Sequence, residues 1–192
     1  MTKQSFTFFD TPIGRCGMVW TADGVCAVML PEATELDTWR RLLRRFPDAA
    51  DTRPAGMAQD ALMSLQAHLR GEASRIDDIP LDISEIAPFN QKVYAITRAI
   101  PRGEVLTYGD VATRLGASGA ARAVGKALGQ NPIPIIIPCH RVLAANGATG
   151  GFSANGGVTT KFRLLAIEGA KATSAPTLFD VMFSLPPSKR QG

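Results

Sequence analysis

Cys139, His140 and Arg141 follow one another in the run IPIIIPCHRVL, and together they could attack an electrophilic carbon. The thiolate is the nucleophilic form of cysteine; apolar surroundings keep a thiol protonated, whereas a histidine and an arginine beside it add positive potential that favours the thiolate. A cysteine in such a run also serves as inert packing, and neighbours on a strand point to opposite faces, so adjacency leaves both readings open. Glu168 adds a third group. It closes KFRLLAIEG just before Gly169, a helix-ending signal, and so puts a carboxylate at the negative end of a helix dipole. A carboxylate in that place orients a histidine or is a tolerated surface residue, and Glu168 alone fits either.

Other elements must hold these groups. Proline gives no amide donor to a sheet ladder, so IPIIIPCHRVL, with Pro134 and Pro138 on either side of three isoleucines, is expected as a short buried strand with irregular ends. Asn131-Pro132 before it reads as a turn. PFNQKVYAITRAI repeats apolar residues at Phe89, Val93, Ile96 and Ile100 and stops at Pro101 and Gly103, which predicts an amphipathic helix. Thr107 stands three residues before Asp110, a variant of the capping box, and YGDVATRLG then predicts a short helix ending at Gly116. After the turn ASG, AARAVGKALGQ supplies a second helix, so the pair is a candidate helix-turn-helix. That second helix is nearly all Ala and Gly, with Arg122 and Lys126 on one face. Small residues serve close approach to an outside partner or tight packing on a neighbouring helix, and the sequence does not choose between them.

The first third reads as sheet followed by helices. Ser5 to Phe9, Arg15 to Trp20 and Val25 to Leu30 are short apolar runs separated by TPIG and TADG, which predicts two hairpins. In TELDTWRRLLRRF, Leu36, Trp39, Leu42, Leu43 and Phe46 can share a helix face, with Arg40, Arg41, Arg44 and Arg45 as its solvated side; Met57 to Leu69 repeats helical spacing. With 45% hydrophobic and 20% charged residues, the composition is that of a soluble globular protein and excludes the disordered and fibrous classes. No apolar stretch reaches the length of a membrane span and no basic-then-apolar leader opens the chain, so the cytoplasm is the expected location. Cys16, Cys26 and Cys139 are an odd number without CxxC spacing, which argues against a disulfide framework. Charge is uneven: 9 Lys/Arg against 13 Asp/Glu up to Pro88, then 12 against 4, or −4 beside +8. That asymmetry suits a segment meeting a polyanion and suits a solvated face equally.

GEVLTYGDVA, ARAVGKALGQNPIPIIIPCHRVL and GGFSANGGVTTKFRLLAIEG resemble consecutive signature segments of the O6-alkylguanine-DNA alkyltransferases, over residues 88 to 169. TPIGRCGMVWTADGVCAV is similar to the hairpin that opens the family's smaller domain. The resemblance implies an α/β plus α fold: a ribonuclease-H-like N-terminal α/β domain (1–85), a mostly helical catalytic and DNA-binding domain with the helix-turn-helix and the PCHRV segment (86–170), and a C-terminal tail (171–192). It implies direct-reversal DNA repair, in which a monomer without a cofactor transfers the alkyl group of O6-alkylguanine, and of O4-alkylthymine, in double-stranded DNA irreversibly to Cys139.

By the same resemblance His140 is the base, acting through a bridging water, and Glu168 orients it, so that nucleophile, base and orienter are all assigned. The thioether product ends turnover after one event. Tyr108 gives the leaving guanine a proton and Asn131 holds the hinge beside the cysteine. Arg122 fills the place of the flipped-out nucleotide while the Ala/Gly helix lies in the minor groove, with Ala121, Gly125, Lys126 and Thr107 completing the DNA contact. Leu128, Pro134 and Val142 wall the base pocket, together with Phe152, Ser153 and Asn155. The last three belong to FSAN, a longer loop than the family's usual Gly-Tyr-x-Gly-Gly, with Phe152 in place of the commoner tyrosine; this leaves the loop's assignment and the tolerance for larger alkyl groups open. Some relatives carry structural zinc, but Cys16, Cys26 and His68 do not make a four-ligand set, and no metal is expected.

Three other functions compete. A Cys-His-Glu hydrolase that turns over leaves Arg122 and the Ala/Gly helix without a role. A non-catalytic helix-turn-helix binder is permitted by the charge asymmetry, though relatives that only bind damaged DNA lack the cysteine. Alkyl transfer from a small-molecule substrate is raised by the FSAN loop alone. In the tail, Leu178, Phe179, Val181, Met182 and Phe183 form an apolar patch expected to pack back on the body.

Overall fold

The computed structural model describes residues 3–145 and 157–170. Two hairpins form as the turn signals predict: β1 (Ser5–Thr11), β2 (Gly14–Trp20) and β3 (Val25–Met29) pair antiparallel, and β4 (Ala50–Asp51) joins β1 in parallel, giving the order β3-β2-β1-β4. Strand alternation gives the sheet two apolar faces, with Cys16 and Met18 of β2 on one and Val19 on the other. Helix α1 (Glu35–Arg45) packs on the second face at Gly17, where a Cβ would come within 3.0 Å of Leu42 Cδ1 and 3.1 Å of Phe8 Cε1. Leu42, Leu43 and Phe46 from its second half join this cluster. Leu36 and Trp39, expected on the same face, are 52% and 45% exposed. The buried first-half residue is Thr38, whose hydroxyl accepts the Glu32 amide at 2.9 Å.

The other face opens a larger core. Met18, Val25 and Val28 meet Ala58, Ala61, Leu65 and Leu69 of α2 (Met57–Leu69), and the cluster continues into α3 (Pro88–Arg98), α4 (Tyr108–Arg114), α5 (Ala121–Gly129) and α6 (Val158–Ile167). On α3 the buried residues are Val93, Tyr94 and Thr97, while Phe89 is exposed, so the helix is rotated from the face the apolar repeat predicts. Hydrogen bonds tie early residues to late ones: the Val28 amide donates to the Pro132 carbonyl at 3.0 Å, and the Arg102 guanidinium donates to the carbonyls of Gly71, Glu72 and Ile167.

IPIIIPCHRVL departs most from expectation. It is not a strand: Pro134 and Ile137 form an isolated bridge, Ile135 adopts a φ of 76°, and Cys139–Arg141 is a 3-10 turn. Only β6 (Val142–Leu143) pairs, in parallel, with β5 (Leu106–Thr107). Prolines at 132, 134 and 138 interrupt the amide donors a ladder needs, so the four isoleucines are buried by folded-back turns instead.

The capping box at the start of α4 forms as expected: Thr107 Oγ1 accepts the Asp110 amide at 3.1 Å and Asp110 Oδ2 accepts the Thr107 amide at 2.8 Å. Replacing Thr107 by Ala is expected to lower unfolding free energy by about 1 kcal/mol in urea denaturation, with Thr107→Ser close to wild type.

Candidate active site

Cys139 opens the 3-10 turn, its amide donating to the Ile137 carbonyl at 2.8 Å. Successive residues on such a turn diverge by about a third of a circle, so Cys139, His140 and Arg141 face different surroundings despite their adjacency. Cys139 lines a cleft with Leu128, Asn131 and Pro134, and with Leu30, Arg41 and Arg45 from the first part of the chain. Two of the four arginines read as a solvated helix side therefore border the cysteine's cleft, and Arg41 also bonds Glu32. Val142, placed by resemblance on the pocket wall, is fully buried in the core and offers its carbonyl to Lys161 Nζ at 2.6 Å. Phe152, Ser153 and Asn155, like the apolar patch of the tail, lie outside the described residues.

Glu168 is the C-cap of α6, followed by Gly169 at φ 67°, where a left-handed conformation suits glycine. Its carboxylate is buried and receives donors from three side chains. Oε1 accepts from His140 Nε2 at 2.9 Å, His68 Nε2 at 2.8 Å and Arg141 Nη2 at 2.8 Å; Oε2 accepts from Arg141 Nε at 2.8 Å. Hydrogen bonds from His140, His68 and Arg141 outweigh burial and hold the carboxyl well below the usual carboxylate range. An ionised carboxylate only accepts, so each histidine must carry its proton on Nε2. His140 Nδ1 is then a bare, basic nitrogen, buried and without a hydrogen-bonding partner among the described residues. Burial pushes the His140 ring toward its neutral form, against the pull of Glu168.

The thiol itself is held up by burial, while the Asn131 side chain, the Lys161 charge and the amides of residues 139 and 140 favour the thiolate. Arg141 does not play the part its position in the sequence suggested: its guanidinium is committed to Glu168 and to the Ile100 carbonyl. Lys161, buried and pushed down to about 8 by desolvation, supplies positive charge near Cys139, with Nζ 5.8 Å from the centre of the Tyr108 ring. Burial and the Cys139 charge raise the Tyr108 phenol above its ordinary value. Asn131 spans the turn before the cysteine, its Nδ2 donating to the Ile137 carbonyl at 2.8 Å and its Oδ1 accepting the Ile133 amide at 3.0 Å.

Helix α5 turns Val124, Ala127 and Leu128 inward and leaves Arg122, Ala123, Lys126 and Gly129 exposed. Ala121 and Gly125 are half-buried. Its glycines are not required by internal packing: a Cβ on Gly125 would be 3.8 Å from the Tyr108 ring, an ordinary contact, and one on Gly129 would meet nothing within 4 Å. This favours an outside partner over a neighbouring helix as the reason for small residues. Thr107 is partly buried and its hydroxyl is committed to Asp110.

His68 and Lys161 are the groups that sequence reasoning missed. Each had a signal. His68 lies on the buried stripe of α2 with Ala61, Leu65 and Leu69, and Lys161 and Glu168 share the buried stripe of α6 with Leu164 and Leu165. Titratable residues at helical spacing on an apolar face mark a polar cluster inside the core.

A buried thiol lines a cleft with Leu128 of α5, whose exposed face carries Arg122, Lys126, Ala123 and Gly129, so the fold sets a cysteine beside a basic surface of small residues. Comparison with known proteins is more specific. Residues 88–170 match the family described as 6-O-methylguanine DNA methyltransferase, DNA binding domain. The methylated-DNA–protein-cysteine methyltransferase of Mycobacterium tuberculosis is 43% identical over 125 residues, 65% of this chain and 73% of the relative. That of Methanothermobacter thermautotrophicus is 35% identical over 158 residues, 82% of this chain and 81% of the relative. The crystal structure of Mycobacterium tuberculosis OGT in complex with DNA aligns with a TM-score of 0.71 at 33% identity, covering 88% of this chain and 96% of that one. The chain belongs to the methylated-DNA–protein-cysteine methyltransferase family and shares its fold of mixed sheet and helices.

The depressed His140 basicity has a consequence for stability. Below the ordinary histidine value of about 6.5, the unfolded chain binds a proton that the folded chain refuses, so this contribution is present above that pH and is lost as pH falls. Between about pH 6.5 and 5.5, the unfolding free energy of wild type should drop by up to about 1.4 kcal/mol more than that of His140→Phe, measured by urea denaturation. Equal slopes would show that His140 is not held neutral.

Proposed function

We propose that the chain repairs DNA by direct reversal, moving the alkyl group of O6-alkylguanine, and of O4-alkylthymine, to Cys139 in a single irreversible turnover. The observation that carries this reading is the series Cys139, His140, Glu168, in which a tautomer-fixed histidine with a bare Nδ1 follows the cysteine. His140 Nδ1 takes the thiol proton through a water. The thiolate attacks the alkyl carbon, the C–O6 bond breaks, and its electron pair goes to the guanine. Tyr108 protonates the leaving base and is reprotonated at the expense of the His140 imidazolium, so the proton lost by Cys139 ends on guanine. The Lys161 charge beside sulfur and phenol supports both ionised forms. A thioether has no acyl carbon for water to attack, which is why turnover stops.

Double-stranded DNA is the partner. We assign α4 and α5 as a helix-turn-helix whose second helix enters the minor groove, a placement supported by the exposed Arg122, Lys126 and small residues. Arg122 fills the place of the flipped nucleotide, offsetting an unstacking cost of a few kcal/mol. Leu128, Asn131 and Pro134 border the cleft in which the base meets Cys139. The sheet order with β4 parallel to β1 supports a ribonuclease-H-like N-terminal domain over 1–85, ahead of the catalytic domain over 86–170. We read the protein as a cytoplasmic monomer.

Excess duplex carrying O6-methylguanine should lose one lesion per protein molecule and no more, with none lost to Cys139→Ser. Arg122→Ala should slow transfer about ten-fold or more and lower the salt dependence of DNA binding by about one ion. Continued consumption of lesion beyond one equivalent would point to a hydrolase instead.

A further inference from the structure

Two histidines share one oxygen of Glu168, and the chain supplies them from positions 68 and 140. His68 stands in the last turn of α2, a hundred residues before Glu168, and its side chain is 2% exposed. Because the carboxylate only accepts, His68 Nε2 must donate, and His68 Nδ1 lies 3.2 Å from the Ser74 hydroxyl, within hydrogen-bonding distance. The ring is thereby satisfied at both nitrogens, with a proton on Nε2. On a stripe with Leu65 and Leu69, an aliphatic side chain would fill the same space without the cost of burying an imidazole. A histidine there is explained by what it does at Glu168.

Each carboxylate oxygen offers about two lone pairs, yet Oε1 faces three donors, from His68, His140 and Arg141. Donors that share an oxygen weaken one another. We propose that His68 is a positioning residue of the transfer reaction: by sharing Oε1 of Glu168 it limits the pull of that carboxylate on His140, keeping His140 neutral with Nδ1 bare. This deepens the repair function proposed for Cys139 and rests on it. The charged groups around the pair are Arg141 on both oxygens of Glu168, Arg102 on the carbonyls of Gly71 and Ile167, and Lys161 near Cys139. Burial does most to keep His140 neutral, and Arg141 and His68 add to it. Since Arg141 grips Glu168 through two nitrogens, loss of His68 leaves the carboxylate in place but free to bind a protonated His140 more tightly.

The test is single-turnover methyl transfer at saturating O6-methylguanine duplex, followed from about pH 5.5 to 8.5, for wild type, His68→Leu and His68→Gln. In His68→Leu the acidic limb should move up by about one unit, slowing transfer several-fold at about pH 5.5 and less than about two-fold near pH 8.5, with DNA affinity unchanged. Glutamine, whose amide can donate to Oε1, should restore the wild-type profile. A merely structural His68 would lower the active fraction and leave the profile's shape unchanged; that result would overturn the proposal. The chain has only two histidines, so the ring tautomers can be read by ¹⁵N NMR of the wild-type protein even where a variant does not fold. Both should carry a proton on Nε2, and a His68 protonated on Nδ1 alone would also overturn it. Wild type that transfers nothing at any pH would instead sink the repair reading, with the NMR tautomers still deciding the role of His68.

Discussion

A carboxylate removed from water must find its donors inside the protein, and Glu168 is the group around which this chain meets that constraint. An unpaired buried charge would cost several kcal/mol. Satisfying this one requires the end of α6, the turn at residues 139–141 and the last turn of α2 to converge, because the donors come from His140, Arg141 and His68. Each of those segments is bound in turn to another part of the fold: Arg141 to the Ile100 carbonyl, His68 to Ser74, and the loop after α2 to Arg102. The carboxylate thus puts the His140 proton on Nε2 and at the same time ties residues near position 70 to the cysteine segment.

The same burial governs reactivity. Cys139 is kept as a thiol by desolvation, with Asn131, Lys161 and two amides favouring its ionisation. A thiol in this state is protected from adventitious chemistry and still has the Lys161 charge to favour its ionisation. The exposed face of α5, kept low by Ala123 and Gly129 and charged by Arg122 and Lys126, lies on the element that also brings Leu128 to the cysteine's cleft.

Much of this was legible in the sequence because it rests on local rules. Thr107 and Asp110 announced the start of α4, Gly169 announced the end of α6, and TPIG and TADG separated the strands. What failed depended on tertiary geometry. Prolines marked IPIIIPCHRVL as irregular, but only the fold shows that it is built from turns, and those turns send Arg141 away from the sulfur. The expected stripe on α1 lost Leu36 and Trp39 to solvent because periodicity records which residues share a face and not how far the sheet beneath them extends. His68 and Lys161 were visible as titratable interruptions of apolar stripes, but their partners lie elsewhere in the chain, beyond the reach of spacing.

The central claim is that the alkyl group ends on Cys139. Intact-mass measurement of the full chain after exposure to one equivalent of O6-methylguanine duplex, with peptide mapping, tests it most directly. The expected result is a gain of one methylene, about 14 Da, confined to the peptide containing Cys139 as a stable thioether. An unchanged protein mass alongside repaired DNA, or a methyl group mapped to Cys16 or Cys26, would contradict it.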